Sequence, residues 1–210
     1  MSTHCCEAPS PRPDARYRKV LWIALAVNAA MFLAEIAASA ASGSVALAAD
    51  AVDFAGDAAN YALSLAAIAA GGLWSARAAL AKGLALGTYG VAVLAYAAWR
   101  IALGTPPEAM TMGVVGTLAL TANLAVAWLL YAYRNGDANM RSVWLCTRND
   151  VLGNLAVLAA AAGVFGTGTL WPDVVVATLM AGLATHSAAQ IVAGGRAELR
   201  PPRHVPEDSR

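Results

Sequence analysis

An all-α integral membrane protein with six transmembrane helices is the fold class that this 210-residue sequence predicts, and three observations predict it. Hydrophobic residues make up 59% and charged residues only 13%, against roughly 45–50% and about 25% in an ordinary soluble domain. The apolar residues lie in windows of about 20, long enough to cross a hydrocarbon core, and six such windows occur at 20–41, 45–71, 84–104, 110–133, 142–164 and 170–193. Lys and Arg alternate between the connecting segments, with twelve of the fourteen on one side of the array. A formal charge of +1 with no basic stripe excludes nucleic acid as a partner. Three cysteines, two of them adjacent, do not make a secreted disulfide framework.

The first span follows Arg16, Arg18 and Lys19 and ends in small residues, as a secretory signal does. It is too long for a signal core and contains Asn28 and Glu35, so a retained helix is expected. Trp74, Trp99, Trp144 and Trp171 fall at span ends, where an amphipathic ring prefers the headgroup layer. The basic segments are 12–19, 77–82, 134–141 and 196–210, which puts both termini in the cytoplasm. The second span then runs towards the cytoplasm and the fifth away from it. Residues 1–17, interrupted by Pro9, Pro11 and Pro13, are expected to be a disordered cytoplasmic tail, 18–193 the six-helix domain, and 194–210 a short cytoplasmic tail.

Ionisable groups inside spans are costly and mark ion pathways. Span two carries Asp50, Asp53, Asp57 and then Asn60, at offsets of 3, 4 and 3, which keep all of them on one helical face. Span five carries Asn149, Asp150 and Asn154, with Cys146 one turn before Asp150. Because the two helices are antiparallel, Asp57 is expected level with Asp150 and Asp53 with Asn154, near the midplane, as an oxygen-rich cage of four ligands. Three carboxylates with no basic partner do not all stay ionised in a low dielectric, and a divalent cation or bound protons would resolve the conflict. The structural alternative is that these groups are hydrogen-bonded glue between helices. Asp50, a turn outside the pair, is read first as a capping or packing residue. Glu35, Asn28 and Asn123 are read as interhelical hydrogen-bonding groups, and Arg148 as a snorkelling or paired cation. DFAGDAA (53–59) aligns with DVLGNLA (150–156), with Gly56 and Gly153 coinciding. This suggests two three-helix halves with a site at their interface.

At these residues the chain resembles the cation diffusion facilitator family of divalent metal/proton antiporters, also called cation efflux proteins. GSVALAADAVDFAGDAAN (43–60) is similar to the family's second helix and RNDVLGNLAVLAA (148–160) to its fifth; Asn28, Glu35, LWPD (170–173) and the six-span layout also fit. The resemblance implies a transport site at Asp53, Asp57, Asp150 and Asn154. It implies proton-driven export of a divalent transition metal (zinc, cobalt, cadmium, iron or manganese) from the cytoplasm across a bacterial-type inner membrane. The metal is substrate, and no cofactor is expected. Zinc-selective members carry His as the first member of one or both pairs and commonly Asp as the last, whereas this chain has Asp53, Asp150 and Asn154, and oxygen ligands favour harder ions than imidazole does. A short member without the cytoplasmic domain usual after span six is expected, so the dimerisation attributed to that domain does not carry over and a homodimer stays open.

His4, Cys5 and Cys6 form a soft-ligand group suited to capturing metal on the cytoplasmic side; the alternative is a tail with incidental cysteines. Cys146 is a further candidate ligand. His186 is read as a packing or interfacial histidine and His204 as solvated. Two other classes compete with a transporter: a membrane enzyme using paired carboxylates as acid and base, for which no HExxH or cofactor motif speaks, and a membrane-embedded metal sensor or scaffold.

Overall fold

A computed structural model gives the fold and describes residues 15–70, 72–135 and 138–198. His4, Cys5, Cys6 and His204 lie outside the described residues, as does the side chain of Cys146. Six helices run through the described chain: α1 (Ala15–Ser42), α2 (Val45–Ala70), α3 (Gly72–Leu103), α4 (Ala109–Tyr131), α5 (Ala138–Thr167) and α6 (Trp171–Glu198). A helix lies over each of the six expected windows. Helices α3 and α5 begin before the apolar windows, at Gly72 and Ala138, because helical hydrogen bonding continues into the polar layer where hydropathy has already fallen.

Among the described residues five helices are long and apolar enough to cross a bilayer; α2 is not among them. Its three aspartates and Asn60 lower its apolar character, yet its 26 residues extend about 39 Å at 1.5 Å per residue. The packing explains how such a helix is tolerated: α2 is surrounded by α1, α3, α5 and α6, so its polar face meets protein and not lipid. Outward positions show the reverse. Leu33, Leu118, Trp128, Phe165 and Leu183 are all more than half exposed, while Asn28, Glu35, Asp50, Asn123 and Asn154 are buried, the inversion expected of a protein whose solvent is hydrocarbon.

Helix neighbours pair off as two three-helix halves would require. The contacts α1–α2 and α4–α5 correspond, as do α2–α3 and α5–α6, and α1 meets α4, α2 meets α5 and α3 meets α6 across the halves. The correspondence breaks at α2–α6, which has no counterpart of similar extent between α3 and α5. The α3–α6 seam depends on glycine: a Cβ at Gly83 would stand 2.9 Å from Val192, and one at Gly90 2.6 Å from Thr185. Removing those side chains lets the backbones approach closely, the usual device where helices associate by packing in lipid.

Two apolar clusters hold the bundle. Val45, Leu47 and Val52 of α2 pack with Val157 and Val164 of α5 and Ala177 of α6 at one end. At the other, terminus-bearing end, Tyr17, Leu21, Tyr61, Val126 and Leu130 join α1, α2 and α4. The start of α2 is clasped from α6. Asp173 accepts hydrogen bonds from Ser44 Oγ (2.6 Å), Val45 N (2.8 Å) and Ala46 N (3.0 Å), satisfying donors that the first turn of a helix leaves open. Gly43, at φ +73°, supplies the left-handed turn between α1 and α2, and the Arg100 guanidinium occupies the place a Cβ would take.

Candidate metal-transport site

The clasp fixes the depth of the acids. From Val45, Asp53 lies about 12 Å and Asp57 about 18 Å along the helix, in the middle of a hydrocarbon core of about 30 Å. Offsets of four residues keep Asp53 and Asp57 on the face that looks between α5 and α6. There they line a cleft of about 630 Å³ together with Asn60 and with Asp150 of α5. Leu86, Val176, Leu179, Met180, Leu183 and Ile191 complete much of its wall, and among the described residues no Lys, Arg or His lines it. Gly56 and Gly153, the two glycines that coincide in the internal repeat, also line it and keep its walls apart; a Cβ at Gly153 would stand 3.8 Å from Asp53 Oδ2.

The cleft runs along α6 from Val176 to Ile191, towards the end where the basic segments lie. At its other end the cluster of Val45, Leu47, Val52, Val157 and Val164 closes the bundle. The cleft therefore extends from the carboxylates towards the basic side, which the charge distribution assigns to the cytoplasm. Among the described residues no three His, Cys, Asp or Glu side chains are gathered closely enough to hold a metal ion in this conformation. The carboxylates face a common space.

Asn154 lies elsewhere. Expected beside Asp53, it is fully buried and does not line the cleft. Its Nδ2 donates to Asp50 Oδ1 (2.9 Å) and Oδ2 (2.7 Å), and its Oδ1 accepts from Asn123 Nδ2 (2.9 Å). Asp50 is a packing residue as expected, but its hydrogen-bond partner comes from another helix, Asn154 of α5; Glu35, read as an interhelical hydrogen-bonding group, is buried in α1 with neither carboxyl oxygen hydrogen-bonded among the described residues. Asn123 is the interhelical group that was expected. Asn28 is not, because its Nδ2 turns back to Ala24 O of its own helix at 2.8 Å. His186 is exposed on α6, with Nε2 3.0 Å from Gln190 Nε2.

Sequence reasoning missed two residues near the acids. Tyr61 is buried, donates to Asp57 Oδ2 at 3.2 Å and shares a 2.6 Å hydrogen bond with Thr147, so it joins α2 to α5 just beyond Asp57. Continuing the i, i+4 count one step past Asp57, and stepping three back from Asp150, reaches both. Asp173 gave no comparable signal, since its partners are backbone amides 128 and 127 residues away.

The chain is thus a six-helix membrane bundle in which carboxylates of the central helix face an internal cleft. The cation efflux transmembrane domain family matches residues 21–199, and the chain belongs to that family. It is 31% identical over 172 residues to the metal cation efflux system protein CzcD of Cupriavidus metallidurans, covering 76% of this chain and 54% of that protein. The same identity and coverage hold for the cation efflux system protein CzcD of an Alcaligenes species. The chain thus spans about half the length of the curated relatives it matches. It is a multi-pass integral membrane protein of the bacterial plasma-membrane type, in a family of transporters, and the acid–base enzyme weighed from the paired carboxylates is set aside.

Proposed function

We propose that the protein exports a divalent transition-metal cation from the cytoplasm in exchange for protons. The observation that carries this reading is the cleft itself: Asp53, Asp57 and Asp150, from two helices, line one space with no basic side chain among the described residues of its wall. Carboxylates so placed stay charged only with a cation among them and are otherwise neutralised by protons, so metal binding releases protons and protonation releases metal. The names of the relatives, a metal cation efflux protein and a cation efflux protein, support the efflux part of the reading.

Asp53, Asp57 and Asp150 are the residues proposed to hold the ion. Asn154, the fourth position of the family resemblance, stands behind them. An ion held by all three would bridge α2, which carries Asp53 and Asp57, and α5, which carries Asp150. Oxygen ligands select for manganese or iron(II) over zinc less strongly than imidazole selects for zinc, so the parent site is broad. His4, Cys5 and Cys6 are proposed to raise the local metal supply at the cytoplasmic mouth.

The test is uptake of manganese and of zinc into sealed inverted vesicles, with and without an acidic interior. Uptake that follows the pH gradient is expected. Uptake indifferent to the gradient would remove the proton coupling, and no uptake of any of manganese, iron, cobalt, zinc or cadmium would remove the transport reading.

A further inference from the structure

From the Asn154 hydrogen bonds we infer that Asp50 is a positioning residue of the transport site, holding the Asn154 amide out of the cleft so that an entering ion meets carboxylates alone. The inference rests on the export reading above and deepens it by saying what sets the ligand field.

An asparagine side chain has one atom able to coordinate a cation, its Oδ1. Here Oδ1 accepts from Asn123 of α4, and Nδ2 is spent on both oxygens of Asp50. The amide orientation is dictated by chemistry: turned the other way, its oxygen would face the carboxylate oxygens of Asp50, acceptor against acceptor. The side chain is completely buried and absent from the cleft, although Asp150, one turn earlier on the same helix, lines it. Asp50 is itself buried in the wall of the bundle.

The identity of residue 154 decides which way it goes. An aspartate there has no amide hydrogen to give Asp50, so the bonds that hold residue 154 in the wall are lost and its carboxylate is free to turn towards the cleft and its cation. Asparagine supplies the donor that keeps it there. One atom's difference thus moves the position from the ion to the wall behind it, leaving a site of three carboxylates whose discrimination among divalent ions is weak.

The experiment measures KM and maximal rate for manganese and zinc in sealed vesicles for the parent, Asn154→Asp, Asp50→Asn and the combined exchange, all of equal volume. Asn154→Asp frees a fourth carboxylate for the cleft and should lower the manganese KM by about tenfold, since ligand charge count tunes cation affinity. The combined exchange rebuilds the pair with roles reversed, the amide now on α2 donating to a carboxylate on α5, and should return KM to near the parent value. Should the combined variant keep the low KM of Asn154→Asp, or should Asn154→Asp leave KM unmoved, Asp50 is not positioning residue 154. If a charged variant does not insert, Asp50→Ala releases the amide without adding charge. Equilibrium manganese binding in detergent should then tighten, and unchanged binding overturns the inference. Absence of metal uptake by the parent itself counts against the export reading and is seen separately from these ratios.

Discussion

The amide nitrogen of Asn154 donates to both carboxylate oxygens of Asp50, at 2.9 and 2.7 Å, across α5 and α2. With Asn123 donating to the same amide, a single polar thread crosses α4, α5 and α2 in the apolar core. Asn123→Ala removes one donor from the thread and leaves a buried acceptor unsatisfied. A loss of about 1 kcal/mol is expected, within the range measured for hydrogen bonds between membrane helices. Thermal unfolding of the detergent-solubilised protein followed by tryptophan fluorescence reads it, and an unchanged midpoint would mean that the thread adds nothing to stability.

Asp57→Ala and Asp150→Ala each remove a proposed ligand from the cleft and should abolish metal uptake. Both proteins should still reach the membrane at parental levels, because deleting a charge from a span favours insertion. Normal flux in either variant would take that residue out of the ion's path.

Asp53→His with Asp150→His should shift the ratio of zinc to manganese uptake towards zinc, imidazole being the softer ligand. The pH profile should move as well. In the parent, protons compete with metal for carboxylates, so apparent metal affinity falls as cytoplasmic pH falls; imidazole enters that competition over a different range. Competitive uptake at several pH values checks both, and an unaltered ratio with an unaltered profile would mean that neither position touches the ion.

Asp173→Ala strips the acceptor from Ser44 Oγ, Val45 N and Ala46 N at the start of α2. By comparison with other helix caps, about 1–2 kcal/mol of stability should be lost. Asp173→Asn keeps an acceptor oxygen and should fall between the two. Because the clasp sets the depth of the acids, the alanine variant should also transport more slowly at saturating metal. A parental unfolding midpoint for Asp173→Ala would contradict the role of the clasp.

Replacing Cys5 and Cys6 with Ser should raise the KM for cytoplasmic zinc while leaving the maximal rate in place, since the tail precedes the first span. Vesicle uptake at graded zinc concentrations separates the two quantities, and a collapse of the maximal rate would show that the tail belongs to the transport path itself.

Much of this protein was legible in the chain because the bilayer makes local demands. Lipid cannot hydrogen-bond a backbone, so each crossing must be a long helix, and among the described residues five of the six are apolar enough to be recognised on their own, while the acid-bearing α2 is carried by the helices around it. The i, i+4 spacing of Asp53 and Asp57 likewise fixes a shared face without reference to any other helix, and those two residues do meet Asp150 at one cleft. Periodicity says which way a side chain leaves its helix; it does not say what waits there. Whether Asn154 reaches the cleft or Asp50 depends on how α5 crosses α2 and how closely α4 and α1 approach behind them. The partners of Asp173 depend on α6 starting beside the α1–α2 turn. These are distances between segments more than 100 residues apart in sequence, and only the packed bundle sets them.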